Sequence, residues 1–135
     1  MNVKLRTAGE LMTSQVLTID SDETLRAAAV KLDAHHVHCL LVPHNERRRC
    51  VGIITTKDIV QVLCEGEASM LDHLLVADAM TAPAVSLQRE FLIADCLRLM
   101  RMSGVRSAPV LDGTQLVGLL SFTDVLRAVA RSATD

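Results

Sequence analysis

Apolar and polar positions follow the same order twice along the chain. Leu25, Ala28, Ala29 and Leu32 recur at i, i+3, i+4 and i+7, and Ile93, Cys96, Leu97 and Met100 repeat that spacing. The spacing predicts two amphipathic helices, each with one buried stripe and, in the second, Arg98 and Arg101 turned outward. Gly104 supplies a C-cap for the second helix, whereas the first runs out through Ala34-His35-His36 without one. Asp22 or Thr24 can cap the start of the first, but Leu92, opposite Thr24 in the repeat, has no side-chain acceptor to cap the second. Ahead of each helix lies a short strand candidate, VLTI (16–19) and AVSL (84–87), preceded in both cases by Met-Thr. After each helix come β-branched and apolar runs, VHCLLV (37–42) and VRSAPVL (105–111), then VGIIT (51–55) and LVGLLS (116–121). The polar stretches HNERRR and DGT between them read as hairpin turns, Asp112-Gly113 being the stronger signal. A last helix closes each copy, with Ile59, Val60 and Leu63 matched by Val125, Leu126 and Val129 on the face assigned to the core.

The unit is therefore strand, helix, strand, strand, helix, written twice. Met12-Thr13 falls on Met80-Thr81, Val37 on Val105 and Val42 on Val110; past a longer loop in the first copy, Val51-Gly52 falls on Val117-Gly118 and Asp58 on Asp124. The expected fold class is α+β, two tandem β-α-β-β-α repeats about a pseudo-twofold axis. Residues 1–66 form the first repeat with an N-terminal segment, and 67–135 the second with a helical linker, ASMLDHLLVADAM, after Gly66. Half of a 135-residue chain is too small to bury a sheet comfortably alone. The two halves are expected to pack together and leave a cleft.

Composition removes several functions. Only two residues are aromatic, Phe91 and Phe122, so no platform exists for stacking bases or sugars. Fourteen basic and sixteen acidic residues are interspersed for a net charge of -2, which gives no footprint for phosphate backbones or anionic membranes. Nucleic acid and membrane are excluded as partners. Without a spanning apolar run or a signal-peptide core, the expected location is cytoplasmic. Cys39, Cys50, Cys64 and Cys96 have irregular spacing with no C-x-x-C, which points to buried, reduced thiols. The cluster His35, His36, His38, Cys39 and His44 lacks a second ligand pair at metal spacing, so no metal is expected. No nucleophile elbow, P-loop or H-E-x-x-H is present, and the chain is not read as an enzyme.

The candidate chemistry lies in VGIITTKDIV (51–60) and VGLLSFTDVL (117–126). Gly52, Thr55 and Asp58 recur as Gly118, Ser121 and Asp124: a glycine that allows close backbone approach, a hydroxyl at a strand-to-helix junction and an acid in the first helical turn. One such trio is adequately read as helix capping. Two copies add weight to a second use, because free N–H groups and a hydroxyl suit a phosphate and a carboxylate suits a vicinal diol.

These features resemble a tandem pair of CBS domains, a Bateman module: Met-Thr at 12 and 80, the helix, the strand ending near Ala108-Pro109-Val110, and the G-h-h-[T/S]-x-x-D segment occur in order in both copies. The resemblance covers nearly the whole chain. It implies adenine nucleotides in clefts between the repeats and pairs that join into a homodimer. By that resemblance Asp58 and Asp124 hold ribose hydroxyls, and Thr55 and Ser121 hold phosphate. Val16, Ala84, Val37 and Val105 line the adenine pockets, and the position three before the family's proline, His38 or Arg106, reaches phosphate. Ala108 and Pro109 close the second pocket. Arg106 is the stronger anion ligand, being always charged and bidentate, so the second site is ranked ahead of the first. The implied function is a regulatory sensor of an adenosine-containing ligand (AMP first among AMP, ADP, ATP, NAD and S-adenosylmethionine), with no required cofactor, that signals in trans to an unidentified protein partner. The alternative is a ligand-free dimerisation or partner-docking module.

Overall fold

In the computed structural model, which describes residues 2–132, the chain forms six α-helices and five strands among the described residues: α1 Ala8–Leu11, α2 Leu25–His35, β1 Cys39–Val42, β2 Gly52–Thr55, α3 Thr56–Glu65, α4 Val76–Ala79, β3 Leu87–Gln88, α5 Ile93–Ser103, β4 Ser107–Asp112, β5 Gln115–Ser121 and α6 Phe122–Arg131. Met1 and residues 133–135, the outer ends of the two expected halves, lie outside this description. The class is α+β with the repeat carried through both copies, and among the described residues no helix is long and apolar enough to cross a membrane.

Contacts divide the chain into two compact units. One comprises Leu17–Ala84; the other joins the residues up to Val16 with those from Val85 onward. The unit of packing is thus offset from the unit of repetition by one exchanged segment at each start. In the Leu17–Ala84 unit, β1 and β2 pair antiparallel from Cys39↔Thr55 to Val42↔Gly52. Thr18 adds a parallel bridge to Leu41, and Thr81 an antiparallel bridge to Ile53. The core beneath is aliphatic: Leu25, Leu32, Leu40, Ile54 and Val76, among others. In the other unit β3 lies parallel to β4, β4 antiparallel to β5, and Thr13 bridges Leu119 at the free side of β5. Leu87, Ile93, Met100, Val110 and Leu120 fill its core, with Val3 and Ala8 from the N-terminal segment.

The exchanged segments also complete the helix starts. Leu25 N donates to Leu74 O at 2.9 Å and Ile93 N to Arg6 O at 2.8 Å, so one backbone carbonyl satisfies an orphan N–H at the head of α2 and of α5. That explains how α5 starts on Leu92, which makes no side-chain cap, whereas Thr24 caps α2 by accepting from Ala27 N. His36 takes a left-handed conformation (φ 54°) at the end of α2, doing without glycine what Gly104 (φ 70°) does for α5. Arg26 on α2 donates through Nε to Asp72 Oδ1 at 2.9 Å and through its terminal nitrogen to Ala68 O at 3.2 Å. This tethers the 3-10 turn Ala68–Asp72, and the guanidinium holds the Asp72 carboxyl below its ordinary range.

Several expectations need correction. The strand foreseen at 16–19 shrinks to a single bridge at Thr18, held by Ile19 N to Leu41 O and Leu41 N to Leu17 O, and the one foreseen at 84–87 to the two residues of β3, Leu87–Gln88. The linker is not one helix but a 3-10 turn and the short α4. On the last helices the apolar residues that meet the core are Ile59 and, in part, Val62, Val125 and Ala128. Val60 (48 %), Leu63 (40 %), Leu126 (68 %) and Val129 (48 %) are exposed. Of the residues assigned to the core, Ile59 and in part Val125 meet it, and the other four point outward. The four cysteines also differ: Cys96 is buried, Cys39 and Cys50 are half-buried, and Cys64 is exposed.

The repeated glycines have a shared cause. A Cβ at Gly118 would lie 3.0 Å from Thr13 O and collide with Met12 Sδ; one at Gly52 would lie 3.2 Å from Thr81 O and 3.0 Å from Met80 Sδ. Each glycine therefore admits the Met-Thr of the exchanged segment. Gly118→Ala is expected to destabilise the protein by about 1–3 kcal/mol in urea unfolding, with Gly52→Ala costing less; an order reversed between them would contradict this packing. Burial, together with the nearby Asp95 charge, pushes the Cys96 thiol up to about 11. At pH 8 an alkylating reagent should modify Cys64 first and leave Cys96 unmodified until the protein unfolds, as mass mapping of the labelled peptides would report.

Candidate strand-to-helix corners

Both trios form the same corner. β2 ends on Thr55, whose Oγ1 accepts from Asp58 N at 3.2 Å, while Asp58 Oδ2 accepts from Thr55 N at 2.8 Å and from Thr55 Oγ1 at 2.9 Å. β5 ends on Ser121 with the same reciprocal set to Asp124, at 3.2, 2.8 and 3.0 Å. Each is a complete capping box, which gives partners to N–H groups that the first turn of a helix leaves without intrahelical acceptors. The preceding strand locks to the same corner. His38 O accepts from Thr56 N at 2.9 Å and from Thr56 Oγ1 at 3.3 Å, and Arg106 O accepts from Phe122 N at 3.0 Å. The side chains of His38 and Arg106 are both exposed beside these corners.

The two carboxylates differ in what remains available. Asp124 is buried, its side chain 7 % exposed, and its Oδ1 already accepts from Thr13 Oγ1 at 3.1 Å and from an Arg127 terminal nitrogen at 3.4 Å. Asp58 is half-buried and, among the described residues, its Oδ1 has no partner; Thr81, the counterpart of Thr13, makes no bond to it. Thr13 and Arg127 are the residues that sequence reasoning missed. Thr13 belongs to the repeated Met-Thr, yet its partner lies 111 residues away and nothing local announces it.

The remaining anticipated residues fall into two groups. With Asp58 in the Leu17–Ala84 unit are Val37, half-buried, and Ala84, buried and donating to Val51 O at 2.8 Å. With Asp124 in the other unit are Val16 and Val105, both half-buried. Ala108 and Pro109 are fully buried in β4 opposite Leu120 and Leu119, so they shape the strand behind the corner and expose no surface of their own. His36 and His38, with Asp33, edge a hollow of about 400 Å³ floored by Leu32, Val37 and Ile59. Among the described residues no group of His, Cys, Asp and Glu is arranged to hold a metal ion.

Comparison with known proteins places these corners in context. A family model described as CBS domain matches residues 8–65 and 76–131. An uncharacterised protein, MK0525, of Methanopyrus kandleri is 27% identical over 121 residues, covering 88% of this chain but 60% of its own length. Among solved structures, the CBS-domain-containing protein ATU1752 of Agrobacterium tumefaciens superposes with a TM-score of 0.81 at 27% identity, covering 91% of this chain and 98% of its own. The CBS domain pair of protein MJ0100, in complex with 5′-methylthioadenosine and S-adenosyl-L-methionine, superposes at 0.79 with 20% identity over 94% of this chain and 98% of its own. CBSX2 in complex with AMP gives 0.77 at 20% identity over 95% and 99%.

The unequal carboxylates yield a direct test. Thr13→Val keeps the backbone bridge to Leu119 and removes only the hydroxyl from Asp124; it is expected to lower stability by about 1 kcal/mol in urea unfolding. Thr81→Val should stay within roughly 0.5 kcal/mol of the parent. Equal losses would mean that the Thr13 hydroxyl contributes nothing specific.

Proposed function

The chain belongs to the CBS domain family, and we propose that it is a regulatory sensor that binds an adenosine-containing nucleotide at its strand-to-helix corners and signals to another protein in trans. The observation that carries this reading is the Thr55–Asp58 corner. Its capping box fixes the acid's position, yet leaves Asp58 Oδ1 without a protein partner, half-buried and beside the exposed His38. An ionised carboxylate oxygen in that state can accept both hydroxyls of a ribose, and His38 and Thr55 are placed to meet a phosphate. The adenosine ligands of MJ0100 and CBSX2 support the ligand class, with AMP the first candidate here. In the second corner a ribose must compete with Thr13 and Arg127 for Asp124 Oδ1. The hydrogen bonds thus favour the first corner loading ahead of the second, against the order that Arg106 alone supports. The same reading assigns the protein no reaction of its own and keeps it in the cytoplasm.

One observation favours the alternative, a docking or dimer-forming module. The outward apolar arcs of α3 and α6, Val60 with Leu63 and Leu126 with Val129, are what a homodimer contact would cover. The two readings separate in a melt with AMP, ATP, NAD and S-adenosylmethionine. A nucleotide at a hundred times its dissociation constant adds about 2.7 kcal/mol, a rise on the order of 10 °C for a chain of this size. No rise with any of the four would leave only the docking module. In a calorimetric titration Asp58→Ala should lose more affinity than Asp124→Ala, and the opposite order would return priority to the second corner.

A further inference from the structure

The repeat offers an internal control on every side chain, and at one place the two units part in charge. α6 packs on α1, and α3 packs on α4 in the same relation. Beside α1 and α6 lies a groove of about 490 Å³ lined by Arg6, Glu10, Asp124, Arg127 and Arg131. The matching positions in the other unit are Leu74, Asp78, Asp58, Gln61 and Glu65. Three cations and two acids in one place thus stand against no cation and three acids in the other, on the same backbone. Since the Leu74–Gln61–Glu65 version forms the same helix contact, the fold does not require the arginines.

Nor are the arginines consumed by their neighbours. Arg6 gives one bond, from Nε to Glu10 Oε2 at 3.1 Å, and Arg127 one long bond to Asp124 Oδ1 at 3.4 Å. Arg131 makes no ion pair among the described residues. Each guanidinium carries about five N–H donors, so most have no acceptor among the described residues. Arg127 and Arg131 stand one helical turn apart on α6, about 5–6 Å between Cβ atoms, and Arg6 comes from the segment opposite. Three guanidinium groups around one groove offer more bidentate grips than a single phosphate can use, and suit a short chain of phosphates.

We propose that the α1–α6 groove is a binding site for a polyphosphate, held by Arg6, Arg127 and Arg131. The inference does not rest on a ribose at either corner. The polyphosphate is either free or the tail of a nucleotide, and the two sources are separable by experiment. Calorimetry of the full chain with inorganic tripolyphosphate is expected to show one site, weakened by added salt and much tighter than for inorganic phosphate. Arg131→Glu and Arg127→Gln, which install the residues of the sister groove, should each lower that affinity about tenfold. Arg101→Gln, an exposed position on α5 in the same unit, should leave it unchanged. In the converse variant, Leu74→Arg with Gln61→Arg and Glu65→Arg, a second tripolyphosphate site should appear. ATP that displaces tripolyphosphate, when adenosine does not, identifies a nucleotide tail; tripolyphosphate and ATP bound together identify a free polyphosphate. No heat with tripolyphosphate, or losses in Arg101→Gln equal to those in Arg127→Gln and Arg131→Glu, would overturn the proposal, whatever the nucleotides do at the corners.

Discussion

Everything in this fold depends on a backbone passing over a glycine. Met12-Thr13 crosses Gly118 and Met80-Thr81 crosses Gly52, each pairing with the strand residue after the glycine: Thr13 N to Leu119 O at 2.9 Å, and Thr81 N to Ile53 O at 2.9 Å. The contact costs a side chain in each strand, and it gains an extra strand partner that arrives from outside the local repeat. Once the segment is seated, its residues cap the next helix start, extend the sheet and bury Val3 and Ala8 or Leu71 and Val76. The compact unit closes only when this segment is exchanged, and this is why packing and repetition are out of step by some sixteen residues in this chain.

The same exchange makes the two corners unequal. Seating Met-Thr brings the Thr13 hydroxyl onto Asp124, and among the described residues Thr81 makes no such bond to Asp58. Asp124 is the more buried acid, and burial of a carboxylate is tolerable only with enough donors around it; Ser121, Thr13 and Arg127 supply them. Asp58 is less buried and keeps one oxygen for something else. Capping and ligand binding are therefore not rival uses of the motif. The cap sets where the acid stands, and the donors left over decide whether it can take a ligand.

Much of this was legible in the letters, and the failures share a cause. The repeat, the helix stripes, the Thr24 and Gly104 caps and the glycine's close approach all depend on residues near in sequence or on a pattern seen twice. Thr13's hold on Asp124 and the carbonyl of Arg6 at the head of α5 depend on segments about a hundred residues away, which no local period reports. The faces of the last helices held only at Ile59 and in part at Val125, for a different reason. α3 and α6 carry apolar residues on two arcs, and 3.6-residue periodicity alone does not say which arc meets the sheet. Likewise VLTI is β-branched at three of its four positions, but a strand is made by its partners, and among the described residues Thr18 bridges only to Leu41.

A tandem repeat is also a comparison carried inside one molecule. Positions that hold the same residue type in both units, such as Gly52 and Gly118 or Thr55 and Ser121, answer to the shared backbone, because the same geometry makes the same demand twice. Positions that differ in charge while the backbone stays the same answer to something else. His38 against Arg106 is one such pair beside the corners; Gln61 against Arg127 and Glu65 against Arg131 are two more on α3 and α6. All three place the cation in the unit that holds Asp124. A buried, fully bonded acid beside a run of guanidinium groups has an anion-attracting neighbourhood, whereas the Asp58 unit has an open acid with few cations near it. The proposed reading thus divides between the halves two tasks that a symmetric pair would perform twice: an acceptor for hydroxyls at one corner, and donors for phosphate in the other unit.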